Sequence, residues 1–148
     1  MPAEPALKSG ALDWIVLALT HAMLMLAVAM LLTIAALYFS SQPIRIPIAG
    51  AAAMALGMRW LSTPSLPEAF IRAVLLTLGA LGLAQLLFWS TYLSAQVGAP
   101  VLEGFKRLTP DFLWVLSHVG MRWADWTEVG VAVLGAGLFS LPWRRRAA

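Results

Sequence analysis

The chain has no cysteine and few charged residues, and both shortages limit what it can do. Without cysteine it has no disulfide, no thiolate nucleophile and no metal site with cysteine ligands. Two histidines are too few for a site built from several histidine ligands. Charged residues make up 11% of the 148 residues, whereas a soluble domain carries about a quarter. So few charges cannot cover the core of a chain that is 61% hydrophobic, and lipid is expected to solvate much of its surface.

Familiar catalytic motifs are also missing from the sequence. The chain has no GxxxxGK[ST] phosphate loop, no GxGxxG turn after a strand and no HExxH metal site. Its seven acidic residues fall in the N-terminal lead segment and in predicted loops, which disfavours a paired-carboxylate hydrolase. The sequence therefore assigns no catalytic residue and no metal ligand, and a non-enzymatic role is expected.

The longest apolar run covers residues 14–39 and contains no charged side chain. About 20 residues of helix cross the hydrocarbon core of a bilayer, so this run predicts a first transmembrane helix. A cleaved signal peptide is the alternative, because Ala27, Val28 and Ala29 resemble a cleavage site. The apolar run continues past Ala29 and exceeds the usual core of about 7–15 residues, which favours an uncleaved span.

Further apolar segments predict an all-α integral membrane protein, with a bundle of three or four transmembrane helices in a single domain. Two of these segments cover residues 70–95 and 126–143. The third, at 46–61, lies between Arg45 and Arg59 and measures about 20 Å as a helix, short of a full crossing. It is either a short span packed against its neighbours or a re-entrant hairpin.

An interfacial amphipathic helix is predicted over residues 110–125. Thr109 is placed as its N-cap, Pro110 at the first helical position and Asp111 in the first turn. Polar side chains share one face of this helix, namely Asp111, His118, Arg122 and Asp125. The face is either a charged stripe in water at the membrane surface or a polar site that contacts a partner subunit or a cavity.

The consecutive arginines Arg144, Arg145 and Arg146 predict a cytoplasmic C-terminus. They are typical of a membrane topology signal rather than a nucleic-acid patch, so no nucleic-acid partner is expected. Counting basic residues on each side does not separate three spans from four, which differ in the side that holds the N-terminus. The composition, rich in Ala, Leu and Arg, favours a multi-pass protein of a bacterial cytoplasmic (inner) membrane.

Three polar side chains within or near the apolar segments are candidate binding residues. Gln85 is predicted near mid-membrane, either in a hydrogen bond between helices or in contact with a substrate. His21 is either a packing residue or an axial ligand of haem b, with His118 as the second ligand. No cofactor is required by the sequence, and haem would need both histidines at one depth. Three spans allow that arrangement, whereas four spans exclude it.

The leading hypothesis is a non-catalytic subunit, or an accessory or assembly factor, of a larger membrane protein complex. Its expected partners are the lipid bilayer and other membrane subunits, contacted through the polar face above and through the small residues Gly79, Gly82 and Gly135. One alternative is a haem- or quinone-associated anchor of an electron-transfer complex. The other is a small channel, holin-like pore or transporter component that depends on Gln85 or Arg122.

Overall fold

The computed structural model describes residues 9–60, 66–118 and 123–141, and every regular element in these ranges is helical. Six α-helices follow one another: α1 Ser9–Tyr38, α2 Pro47–Trp60, α3 Leu66–Val97, α4 Val101–Arg107, α5 Pro110–His118 and α6 Trp123–Ser140. A 3-10 turn, Pro43–Arg45, precedes α2. The expected all-α fold is confirmed for these residues. Two segments, Asp13–Tyr38 and Pro67–Val97, are long and apolar enough to cross a membrane.

The two long helices end in the same way. Ser40 has φ 51°, and the Ser41 amide donates to the Ala36 carbonyl at 2.9 Å. At the end of α3, Gly98 has φ 67°, and the Ala99 amide donates to the Ser94 carbonyl at 3.0 Å. A left-handed residue after the last turn lets a later amide reach back and satisfy a free carbonyl of the helix end. Each helix therefore ends close to where the sequence predicts.

Helices α1 and α3 lie side by side and run in the same direction. Near the middle of both helices, Gly79 is so close to α1 that an added Cβ would lie 2.7 Å from Sδ of Met25. Further along both, the Thr33 hydroxyl donates to the Ala84 carbonyl at 3.3 Å. Because contacts advance along both chains together, the two helices are parallel.

Helix α2 runs back along α1. An added Cβ at Gly50 would lie 2.7 Å from Cδ1 of Leu32, and one at Gly57 would lie 2.5 Å from Cδ1 of Leu24. Later residues of α2 thus contact earlier residues of α1, so these helices are antiparallel. Both glycines allow the leucine of α1 to approach the α2 backbone.

Helix α6 runs back along α3. An added Cβ at Gly137 would lie 2.6 Å from Cε2 of Phe70, and the Ser140 hydroxyl donates to the Ala69 carbonyl at 3.3 Å. The four longest helices therefore alternate in direction in the order α1, α2, α3, α6. The starts of α1 and α3 and the ends of α2 and α6 share one end of the molecule, called here the N-terminal end.

Helix α3 is the centre of the packing and contacts α1, α2, α4 and α6. Its buried positions, like those of α1, are mostly small; Ala29, Ala36, Ala73 and Ala84 are each 0% exposed. Small side chains let the helix axes approach closely. The close approach increases the dispersion contacts between the helices. Helix α2 contributes larger side chains to the core, because Met54 and Met58 are both buried.

The sequence predicts a polar connection over residues 97–108. Helix α4 differs from that prediction. The structure instead forms one short helix there, packed back against α3. Gly104 makes this contact possible, because an added Cβ would clash with the Ser90 carbonyl oxygen and the Ser94 hydroxyl. The sequence does carry a helix signature, with Glu103 in the first turn and basic residues in the last.

Candidate functional site

A surface depression lies between α2 and α6, and we call it the α2–α6 groove. The two helices run parallel, and alanines from both are buried where they meet, namely Ala51, Ala132 and Ala136. These small side chains leave a half-open cavity of about 500 Å³ above them. The groove exists because neither helix carries a bulky residue at the point of contact.

The walls of the groove are almost entirely apolar. Helix α2 contributes Ile48, Ala51, Ala52, Ala55, Leu56 and Arg59. Helix α6 contributes Val131, Ala132, Gly135, Ala136 and Phe139. From Ile48 to Arg59 the groove is about 16 Å long, close to half the hydrocarbon thickness of a bilayer.

Arg59 is the one charged residue that lines the groove, and it lies at the N-terminal end of the bundle. Its Nε donates to the Phe139 carbonyl in the last turn of α6 at 2.8 Å. A cation suits a helix C-terminus, where carbonyls lack partners within the helix. The bond uses one of the five N–H donors of the guanidinium and fixes its position at the mouth of the groove.

The three glycines predicted to contact other membrane subunits lie in different places. Gly79 faces Met25 of α1 and so serves packing within the chain. Added Cβ atoms at Gly82 and Gly135 would meet nothing within 4 Å, so both glycines face open space. Gly135 lies in the α2–α6 groove, whereas Gly82 lies on the outer face of α3. Of the three, Gly135 is the one placed in a concave apolar surface.

Gln85 forms a hydrogen bond with a residue in the connection between α1 and α2. Its side-chain Nε2 donates to Oε1 of Gln42 at 3.3 Å. Gln42 lies beyond the end of α1, in the connection to α2. Gln85 is therefore level with that connection, and its predicted place near mid-membrane stays a prediction. A role in conduction stays a prediction.

His21 lines a second, smaller depression of about 250 Å³ between α1 and α3, called here the His21 pocket. Trp14 and Leu75 are exposed at its rim, and Arg72 of α3 also lines it. The imidazole is 8% exposed, and its Nδ1 is 2.6 Å from the Leu17 carbonyl. Its Nε2 and the Nη1 of Arg72 are both buried without a hydrogen-bond partner in the described structure.

The structure describes the position of His21 but not that of the His118 side chain. His21 lies beside Arg72, near the start of α3 and thus towards the N-terminal end. Helix α6 runs towards that end, so its start and the preceding α5, which ends at His118, lie towards the opposite one. The His118 side chain is outside the described residues. A haem held by both histidines therefore stays a prediction.

The polar face predicted over residues 110–125 is only partly described. Thr109 acts as the N-cap of α5, because its hydroxyl accepts from the Phe112 amide at 3.3 Å, as predicted. Asp111 is exposed on α5, and Asp125 lies in the first turn of α6. Arg122 lies outside the described residues, so a face shared by these side chains stays a prediction.

Comparison with protein-family models, curated protein sequences and solved structures finds no match to this chain. In the part of the chain that the structure describes, no three metal-ligating side chains lie together. The features from which a function can be inferred are therefore the groove, the His21 pocket and the exposed apolar surface.

Proposed function

We propose that this chain is a non-catalytic subunit, or an accessory or assembly factor, of a larger membrane protein complex. Its α2–α6 groove binds a transmembrane helix of another subunit. The observation that carries the proposal is the groove itself, which is apolar, half-open, lined by small residues and closed at one end by Arg59. Such surfaces are typical of helix contacts in membranes, where small residues let backbones approach.

The exposed apolar surface supports a membrane setting. In the most apolar windows of Asp13–Tyr38 and Pro67–Val97, only 17% and 33% of the residues are buried. The core helix of a soluble protein would bury most of such a segment. Large apolar side chains point outward along α1, α3 and α6, among them Leu19, Leu75 and Val131. Lipid is the solvent that stabilises such a surface.

The alternating helix directions support four spans: α1, α2, α3 and α6. Helix α2 has 14 residues and measures about 21 Å, shorter than a typical bilayer core. Arg45 and Arg59 flank it and can extend their guanidinium groups to the two surfaces, which lets a short helix cross. Both termini then lie on one side of the membrane. The arginines at 144–146, outside the described residues, make this the cytoplasmic side of a bacterial inner membrane.

A helix suits the groove because two parallel walls and an alanine floor accept a ridge of side chains. Helix association in lipid depends on such packing rather than on the hydrophobic effect. Arg59 adds charge complementarity, because its remaining N–H donors can bind an acidic side chain or a carbonyl at the end of the partner helix.

Gly135→Leu is expected to abolish partner binding without unfolding the chain. Its side chain would fill the groove but meet nothing within 4 Å at its Cβ. Gly130→Leu, on the same helix and also in open space, lies outside the groove and is the matched control. The measurement is purification of each variant in mild detergent at native expression level. The partner should accompany the wild type and the control in fixed stoichiometry and be lost from Gly135→Leu.

A photo-crosslinking residue at Ala52, inside the groove, then identifies the contact. The crosslinked peptide should come from an apolar helix of another protein, and a crosslinker at Leu78, exposed on α3, should not yield it. Partner retention by Gly135→Leu would refute the groove as the docking site. So would crosslinks from Ala52 that reach only lipid or a second copy of this chain.

A further inference from the structure

Arg59 carries a positive charge that no acidic side chain of this chain balances. Its Nε donates to the Phe139 carbonyl, and no carboxylate is paired with the guanidinium in the part of the chain that the structure describes. Glu68, an acidic residue near the same end of the bundle, is already paired with Arg72 at 3.7 Å. Arg59 is also an exposed residue, so another molecule can reach it.

The hydrogen bond to Phe139 leaves the end of the guanidinium available for a second ligand. Because Nε donates to the carbonyl of α6, the four N–H groups on the two Nη atoms remain. Two of these N–H groups lie parallel at the end of the guanidinium and match the two oxygens of a carboxylate. A carbonyl could accept one of these bonds but has no net charge. A carboxylate therefore satisfies both the geometry and the charge of Arg59.

The alanines between α2 and α6 set the position of that carboxylate along the bound helix. Ala51 and Ala132 are buried together, and they lie eight residues before Arg59 on α2 and seven before Phe139 on α6. Both helices therefore separate the alanines from Arg59 by about 10–12 Å, or two helical turns. Because the alanine side chains are small, a bound helix fills the space above them best with a large apolar side chain.

We infer that the helix bound in the α2–α6 groove carries an aspartate or glutamate beside Arg59, about two turns from the large apolar side chain that covers Ala51 and Ala132. The carboxylate accepts from the two Nη atoms, while Nε stays on the Phe139 carbonyl. Each charge then has a partner close to the lipid, where a single charge is costly. The inference rests on the proposed function, because it describes the partner of the same groove.

Exchange of the two charges tests this inference. The crosslink from Ala52 identifies the partner helix, and its acidic residue is then replaced by lysine. Arg59→Glu should bind the native partner about tenfold more weakly, the loss expected for a charged hydrogen bond. The lysine variant of the partner, which leaves this chain unchanged, should bind the wild type equally weakly. Combining the two variants should restore most of the binding, which a role of Arg59 in capping α6 alone does not predict.

Arg107→Glu is the matched control, because it reverses the charge of an exposed arginine on α4, outside the groove, and should keep the partner. A partner helix without an acidic residue at that level would overturn the inference. So would full binding by Arg59→Glu, or exchanged charges that fail to restore binding.

The two proposals for the groove fail in different ways. Loss of the partner from Gly135→Leu but not from Arg59→Glu would remove the charge pair and leave the groove as the docking site. Retention by both variants would refute the groove itself. Binding that requires phosphatidylglycerol in nanodiscs and is not restored by the exchanged charges would assign Arg59 to a lipid phosphate and overturn the inference.

Discussion

Gly137→Leu is expected to lower the thermal unfolding midpoint of the purified protein by several degrees, up to about 8 °C. The Cβ alone would lie 2.6 Å and 2.7 Å from two carbons of the Phe70 ring and 3.0 Å from a methyl carbon of Val74. Both neighbours belong to α3, so α6 must move away from the central helix. Overpacking of this kind costs about 1–3 kcal/mol, and about 1 kcal/mol corresponds to 2–4 °C at this chain length.

Gly130→Leu separates this clash from the general effect of removing a glycine. Both substitutions lie on α6 and both gain helix propensity, about 1 kcal/mol relative to glycine. Gly130 has open space around it, so its variant should unfold at or slightly above the wild-type midpoint. Equal midpoints for the two leucine variants would show that α6 does not pack on α3 at Phe70. Circular dichroism of detergent-solubilised protein, followed during heating, provides the measurement.

Gly104→Ala is expected to release α4 from α3 and to destabilise the protein by about 1–3 kcal/mol. A single added methyl group clashes with the Ser90 carbonyl oxygen and the Ser94 hydroxyl. A backbone oxygen within a helix cannot rotate away as a side chain can, so α4 itself must shift. Proteolysis of the connection around Gly98 should then be faster than in the wild type.

Gly82→Ala is the matched control, because it makes the same change in a helix where a Cβ meets nothing within 4 Å. It should raise stability by about 0.5–1 kcal/mol through helix propensity alone. The two alanine variants are thus expected to shift the unfolding midpoint in opposite directions. A shift upwards in both would contradict the close packing of α4 on α3.

The sequence predicts the two long helices well, because each one is a long apolar segment. Helix α1 has 30 residues and α3 has 32, and both are apolar over most of that length. Their ends follow from a residue such as Gly98, which accepts a left-handed conformation. Helix α4 was missed because seven residues of mixed character show no clear period, and its stability comes from packing on α3.

The roles of individual glycines could not be predicted from sequence. Gly79, Gly82 and Gly135 look alike in the chain, since all three are small residues in apolar segments. The three glycines differ in what lies opposite them. Met25 of α1 lies opposite Gly79, whereas an added Cβ at Gly82 or Gly135 would meet nothing within 4 Å. Which side of a helix faces a neighbour depends on the direction of every helix in the bundle.

The surroundings of His21 were beyond prediction for the same reason. The sequence predicts either a packing residue or, with His118 as the second ligand, an axial ligand of haem b. Arg72 of α3 lines the same pocket as His21, because α1 and α3 lie side by side and run in the same direction.

The central claim is that α2 crosses the membrane, since this gives four spans and places both termini on one side. The chain has no cysteine, so single cysteines can be introduced without a background. Ser41→Cys lies before α2, Pro67→Cys lies after it, and Gln96→Cys lies near the end of α3. A membrane-impermeant maleimide, applied to right-side-out and inside-out vesicles, reports the side of each thiol.

The account predicts that Ser41→Cys and Gln96→Cys react in right-side-out vesicles and that Pro67→Cys reacts only in inside-out vesicles. That result would establish α2 as a span and the N-terminal end of the bundle as cytoplasmic. Labelling of Ser41→Cys and Pro67→Cys from the same side would contradict it. Helix α2 would then be a re-entrant or surface segment, and the α2–α6 groove could not accept a helix that crosses the bilayer.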